Sequence, residues 1–254
     1  MLRYSISVLF VMVFFSGFSQ SKPYDTQPKD SVVYKQKYGL RVGVDLSRPI
    51  VSFLQDNYTG LEFVGDYRLT QKLFLAAELG NEKKTKQEDL YNFTTSGSYI
   101  KLGVDYNTYA NWYGEQNSIF IGGRYAFATY SQTLNNYQVF NSNRYWSPSG
   151  FTPGSDVAQE FGGRNTSWLE FVFGTKVELF ANIYLGGSVR LGFFFSDANR
   201  ESDFPDLFIP GFNKVTDGSR FGVGYNYSLS YFIPLYKKAK KPKEIKEPEE
   251  EIEQ

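Results

Sequence analysis

The sequence predicts an all-β protein, folded as an eight-stranded antiparallel transmembrane β-barrel with long extracellular loops and a disordered periplasmic tail. Three observations support this prediction. Eight segments alternate apolar and polar side chains with a period of two, which is typical of a strand whose two faces meet different surroundings. The polar faces of these segments carry charges of both signs. Short and long links also alternate between consecutive segments, as in barrels of the bacterial outer membrane.

The composition argues against several kinds of catalytic and metal site. The chain of 254 residues contains no His and no Cys, so it lacks the usual nucleophile pairs, the usual ligands of haem, iron-sulfur and zinc sites, and any disulfide. Its 27 basic and 27 acidic residues balance, whereas nucleic-acid binding needs a basic excess to neutralise phosphates. We therefore expect no enzyme activity, no cofactor, no metal and no nucleic-acid partner.

Residues 1–19 have the pattern of a secretory signal peptide. Arg3 supplies the positive start, a short apolar stretch covers residues 6–15, and small residues precede the expected cleavage after Ser19. An uncleaved membrane anchor is the alternative, but a spanning helix needs about 20 apolar residues. Residues 20–37 are polar, and we expect them to form an extended periplasmic linker.

The eight alternating segments follow from Tyr38 onward. In the first segment, Leu40, Val42 and Val44 alternate with Arg41 and Asp45. With its flanking residues, each segment is long enough to provide the roughly 9–11 residues that a tilted strand needs to cross a bilayer. The predicted strands lie within residues 40–47, 61–69, 73–80, 100–106, 119–127, 169–179, 185–193 and 221–233.

The charges on the polar faces favour a barrel with lipid outside over a soluble sandwich. In a membrane barrel, lipid covers the apolar face while balanced charges turn inward and pair. A soluble lipocalin-like barrel is the structural alternative, because alternation does not say which face points inward. The predicted interior charges are Arg41, Asp45, Glu62, Asp66, Arg68, Glu78, Lys101, Asp105, Arg124, Glu170, Lys176, Glu178 and Arg190.

The lengths of the links predict the orientation of the strands. Residues 70–71 and 180–182 form short turns, while residues 130–167 and 197–219 form long loops. Residues 108–117 depart from this pattern, because a ten-residue link stands where a short turn is expected. Short turns face the periplasm in outer-membrane barrels, and an even number of strands places both termini there. We therefore expect a barrel over residues 38–236 and a charged periplasmic tail over residues 237–254.

The chain is rich in aromatic residues, with 24 Phe, 20 Tyr and 3 Trp. Tyr and Trp favour the membrane interface, where the ring is buried and the polar atom stays in water. Ordinary core aromatics are the alternative. Six residues near the predicted strand ends are expected to form aromatic girdles: Tyr106, Trp112, Tyr113, Trp168, Tyr231 and Tyr236.

Two loops and the tail are the expected partner-binding surfaces. Residues 204–212 are strongly apolar in a loop that should be exposed, and such patches usually mark interaction sites. Burial of this stretch within its own loop or against the other long loop is an alternative. The tail either tethers the barrel to a partner or is merely solvated. The candidate partner-binding residues are Tyr145, Trp146, Phe151, Phe204, Leu207, Phe208, Ile209, Phe212, Lys237, Lys238, Lys240 and Lys241.

The signal ending Phe18-Ser19-Gln20, the alternating strands and the aromatic residues 225–232 resemble a small outer-membrane barrel of a Bacteroidota-type bacterium. The last strand resembles the signal read by the barrel assembly machinery, although Pro234 interrupts it and the chain continues past Tyr236. The resemblance covers residues 38–236. It implies outer-membrane localisation, contact with outer-membrane lipid and lipopolysaccharide, and a complex with other outer-membrane or periplasmic proteins.

We expect a barrel of eight strands to be filled by its own side chains, so bulk transport is disfavoured. The sequence and the resemblance together predict a non-enzymatic accessory subunit of a larger envelope complex, most specifically of the barrel assembly machinery. A small porin-like channel and a surface adhesion or binding barrel are the alternatives.

Overall fold

The computed structural model describes residues 35–109, 116–140, 145, 151–197, 206–214 and 220–239. The predicted signal peptide, most of the linker and most of the tail lie outside these residues. Residues Lys35–Lys238 form one compact unit. Its elements are β1 Lys35–Asp45, α1 Ser47–Leu54, β2 Tyr58–Arg68, β3 Leu73–Gln87, β4 Tyr91–Asn107, β5 Ser118–Phe140, β6 Phe151–Ser155, β7 Gln159–Phe180, β8 Ile183–Asp197, β9 Phe208–Ile209, β10 Asn213–Lys214 and β11 Phe221–Ala239.

The main antiparallel sheet closes into a ring. Its nine strands are ordered β4-β3-β2-β1-β11-β8-β7-β5-β6, and an additional pairing of β4 with β5 joins the two ends. The ring passes through eight of these strands, because β6 pairs with β5 alone. The backbone amide of Leu46 also donates to the carbonyl of Tyr227, 2.6 Å away, where β1 lies beside β11. Closure leaves no long unpaired edge in the body of the sheet.

The predicted total of eight strands is wrong for the part of the chain that the structure describes. The main sheet has nine strands, and β9 and β10 form a second sheet of two. The expected loop over residues 130–167 is largely strand, since β5 continues to Phe140 and β7 begins at Gln159. Outward positions such as Thr129 and Ser131 are polar here, so the apolar alternation stops while backbone pairing continues.

The two faces of the sheet have opposite chemistry. On β5, the outward residues Ile119, Ile121, Tyr125 and Phe127 are exposed, while Arg124 is buried inside the ring. The other ring strands show the same division, with large apolar side chains outside and polar or charged side chains inside; the inward polar residues of β11 are the uncharged Asn226, Ser228 and Ser230. The nine residues from 119 to 127, at about 3.4 Å each and a tilt of about 40°, give an apolar band roughly 20 Å tall.

Helix α1 connects β1 to β2 at one end of the ring. We call this the loop end, because the connections after β3, β5 and β8 lie there too, and the opposite end the turn end. Asp45 orders the start of the helix: its Oδ1 accepts from the backbone N–H of Ser47 at 2.8 Å, and its Oδ2 from the Ser47 hydroxyl at 2.6 Å. Among the described residues, no helix is long and apolar enough to cross a membrane.

Candidate functional site

The interior of the ring holds all thirteen charged residues predicted to line it. Eleven of them are buried, and Lys176 and Glu178 are half-buried. Alternation brings them together, because inward positions on neighbouring strands face the same enclosed space. We call these thirteen residues, with Arg48 and Glu82 described below, the interior ion network.

The network begins near the turn end with Asp66 on β2. Its Oδ1 accepts from Arg41 Nε at 2.7 Å, and its Oδ2 accepts from Lys176 Nζ at 2.6 Å. The Arg41 guanidinium also lies over the rings of Phe74 and Tyr184, with its central carbon 5.0 and 5.2 Å from their centroids. Each cation here faces a carboxylate or an aromatic ring, as buried charges require.

Glu78 occupies the middle of the network. Arg124 Nε donates to its Oε1 at 3.3 Å, and Arg190 donates to both of its oxygens. Arg124 also makes a two-pronged contact with Asp105, at 2.7 and 2.9 Å. Two arginines therefore share one glutamate, and each reaches a further carboxylate: Arg190 Nη1 lies 3.6 Å from Glu170.

The network continues toward the loop end through Glu170. Its Oε1 accepts from Lys101 Nζ at 2.8 Å and from the indole N–H of Trp168 at 2.7 Å. Trp168 is 0% exposed, so its predicted place in an outer aromatic girdle is wrong. It has the same parity along β7 as Glu170, and alternation therefore turns it inward. Tyr106, Tyr231 and Tyr236 are exposed, and Trp112 and Tyr113 lie outside the described residues.

Two members of the network, Arg48 and Glu82, are absent from the sequence-based prediction. Arg48 Nη1 lies 2.8 Å from Glu82 Oε1. Burial disfavours the charge on Arg48, but the nearby Glu82, Tyr99 and Glu62 outweigh it and hold the pKa of Arg48 well above its usual value. On β3, Glu82 stands two residues after Gly80 and four after Glu78, so alternation places it on the same inward face. This spacing is a signal in the sequence that could have assigned Glu82 to the interior. Arg48 lies on a helix, where strand alternation gives no signal.

A segment from the last loop fills the interior at the loop end. We call residues 206–212 the plug segment. Phe208, Ile209 and Phe212 are buried, which corrects the expectation that they form an exposed partner surface. The Phe212 ring packs against Phe194, with ring centroids 4.3 Å apart, and against Trp168 at 5.6 Å. An apolar loop is stabilised by this aromatic lining without any partner protein.

Glycines make room for the plug segment. A Cβ on Gly192 or Gly222 would lie 2.6 or 2.7 Å from the Phe212 ring, too close for a real contact. Gly211 has a φ of +81°, a left-handed conformation that glycine adopts without strain. Its carbonyl accepts from Lys101 Nζ at 2.9 Å, and its N–H donates to Glu82 at 3.1 Å. The plug segment is thus bonded to the interior ion network.

The other predicted partner-binding residues are scattered. Tyr145, Lys237 and Lys238 are exposed, and Leu207 is half-buried. Phe151 begins β6, so it belongs to a strand and not to the expected loop. Trp146, Phe204, Lys240 and Lys241 lie outside the described residues.

The packed interior leaves little free volume. Two cavities lined by the interior charges and the plug segment measure about 30 and 10 Å³, which is room for one or two water molecules. No group of three or more acidic side chains able to hold a metal occurs among the described residues. Chemically, the arrangement pairs most of the ionised groups with an opposite charge. Arg68 instead donates to Gln36 and to backbone carbonyls, and Glu178 accepts from the Tyr184 hydroxyl. The two interior cavities are too small for a substrate.

Comparison with known proteins identifies a family without assigning an activity. A family model described as "Domain of unknown function (DUF6048)" matches residues 1–238. No curated protein matches the chain.

Proposed function

The chain belongs to the DUF6048 family, and we propose that its closed ring is an outer-membrane β-barrel acting as a sealed, non-enzymatic subunit of a larger envelope assembly. The observation that carries this proposal is the inverted exposure of the ring. Large apolar side chains such as Leu102, Phe171 and Leu191 are exposed outside, whereas most of the charges are buried inside and form ion pairs there. In water, the apolar outer face would be exposed unfavourably, and the enclosed charges would be cut off from solvent. A bilayer around a closed sheet accounts for both features, because lipid covers the apolar face while the charges pair inside.

The interior argues against the porin-like alternative. The plug segment closes the loop end, and the interior ion network fills the space beneath it with paired side chains. A conducting pore needs a continuous water-filled path, whereas the two cavities here are small and separate, with room for one or two waters. The barrel would therefore act as an anchor, and its surfaces would carry the function.

The role as a subunit rests on what remains outside the barrel. With the plug segment occupied internally, the docking surfaces left among the described residues are the loop ends of β5, β6 and β7 and the exposed Lys237 and Lys238. The structure places these two lysines at the end of β11, although the sequence predicts a tail from residue 237. The barrel assembly machinery remains the proposed host, and the overall resemblance of the chain to small outer-membrane barrels is the support for that choice.

Three measurements on one preparation test the proposal. Density-gradient fractionation should place the chain in the outer membrane, and extraction in mild detergent should yield a complex larger than the purified protein alone. The purified protein should give no stepwise conductance in planar bilayers. Migration of the extracted chain at its own monomer size would contradict the subunit role, and steady single-channel currents would favour the porin-like alternative.

A further inference from the structure

Helix α1 has two faces of opposite character. At about 100° per residue, Arg48 and Ser52 fall on one face, and Ile50, Phe53 and Leu54 fall on the other. The second face is strongly exposed, with Phe53 at 90%, Leu54 at 73% and Ile50 at 53%. Three large apolar side chains on one short helix form a patch that water alone would not favour.

Contacts of the polar face fix how the helix is rolled about its axis. Arg48 Nη1 reaches into the ring to Glu82 at 2.8 Å. The hydroxyl of Ser52 accepts from the backbone N–H of Gly60 at 2.8 Å, which ties the helix to the start of β2. With this face held against the rim of the ring, Ile50, Phe53 and Leu54 must point away from the interior.

Apolar residues precede and follow the helix in the chain. Leu46 directly precedes the helix and Leu61 follows on β2, and Leu61 is an exposed outward residue of that band. No charged residue occurs from Pro49 to Gln55. An uncharged apolar face lacks the groups that would recognise a polar or charged partner, whereas it suits the boundary between lipid headgroups and acyl chains.

We propose that α1 is an interfacial anchor whose apolar face inserts into the headgroup–acyl boundary of the outer leaflet. The occupant of this face is the lipid surface itself. The inference deepens the proposed function and rests on it, since the helix reaches lipid if lipid surrounds the ring. Three contacts, of Arg48 with Glu82, of Ser52 with Gly60 and of Ser47 with Asp45, would hold the helix at one depth and orientation.

The absence of cysteine from the chain permits a direct test with single-cysteine variants. Phe53→Cys, labelled with the polarity-sensitive fluorophore NBD, is reconstituted into phosphatidylethanolamine–phosphatidylglycerol vesicles that contain spin-labelled quencher lipids. Phe171→Cys, on the outward face of β7, reports the middle of the band. Asp56→Cys, an exposed polar position just after the helix, is the matched control in the same loop.

We expect quenching at position 53 to be stronger with the spin label near the headgroup than with the label deep in the acyl chain. Position 171 should show the reverse order, and position 56 should be quenched by neither. Quenching at 171 without quenching at 53 would overturn the anchor and leave the proposed barrel intact. An absence of quenching at both positions would overturn the barrel as well. Deep quenching at 53, or quenching at 56, would overturn the interfacial placement.

Discussion

Replacement of Arg190 by methionine should strongly destabilise the folded protein. The Arg190 guanidinium donates to both oxygens of Glu78 and lies 3.6 Å from Glu170 and 3.9 Å from Glu62. The variant Arg190→Met leaves these three carboxylates close together in a closed interior. Removal of one partner from a buried ion pair costs about 3–5 kcal/mol, a large part of the roughly 5–15 kcal/mol that stabilises a typical domain.

Two further variants separate this effect from general damage to β8. Val189→Leu changes the adjacent residue, whose side chain is exposed on the outer face, and it should shift the unfolding free energy by less than about 0.5 kcal/mol. Glu78→Gln combined with Arg190→Met also removes the charge of the carboxylate to which Arg190 donates twice. The double variant should therefore cost less than the sum of its two single variants.

The measurement is equilibrium unfolding by urea in phospholipid vesicles, followed by tryptophan fluorescence. Trp168 is a suitable reporter, because it is buried and donates to Glu170 within the interior ion network. If Arg190→Met costs no more than Val189→Leu, water must solvate the remaining carboxylates. A sealed interior would then be the wrong description.

Three other perturbations test separate parts of the structure. Gly103→Ala would place a Cβ 1.9 Å from a backbone oxygen, whereas the site at Gly123 is open. Gly103→Ala should therefore lower the unfolding free energy by about 1–3 kcal/mol, and Gly123→Ala should leave it unchanged. Equal effects of the two variants would contradict the packing at Gly103. Phe212→Ala should cost about 3–5 kcal/mol in the same assay, and Phe212→Leu should cost less, because it removes less buried apolar volume. If neither variant changes the unfolding free energy, the plug segment does not lie inside the ring. Arg48→Gln leaves Glu82 buried without its cation and should lower the unfolding free energy by about 3 kcal/mol. A change below about 0.5 kcal/mol would contradict the ion pair that joins α1 to the interior ion network.

The ring strands and the interior charges follow from the sequence because both depend on one local rule. Side chains two residues apart on a strand share a face, so Arg41 and Asp45 reveal an inward face without knowledge of the neighbouring strands. The same rule applied to Trp168 would have placed it inside. The fold class and most of the interior ion network were therefore predictable from single segments.

The remaining features depend on contacts between segments that are distant in the sequence. Nothing local shows that Phe212 enters the ring, because the glycines that admit it lie on β8 and β11. Arg48 belongs to a helix whose inward roll is fixed by Glu82 on another strand. The continuation of β5 to Phe140 depends on pairing with β4 and β7 and, over its last residues, with β6, since its outward residues become polar.

The central claim is that lipid covers the apolar outer face of the ring, and the state of the protein without amphiphile tests it most directly. Size-exclusion chromatography with light scattering can follow the refolded chain, without its signal peptide, in detergent and after the detergent is removed. We predict a monodisperse protein–detergent complex in the first case and aggregation in the second. A folded, monodisperse monomer in plain buffer would contradict the claim.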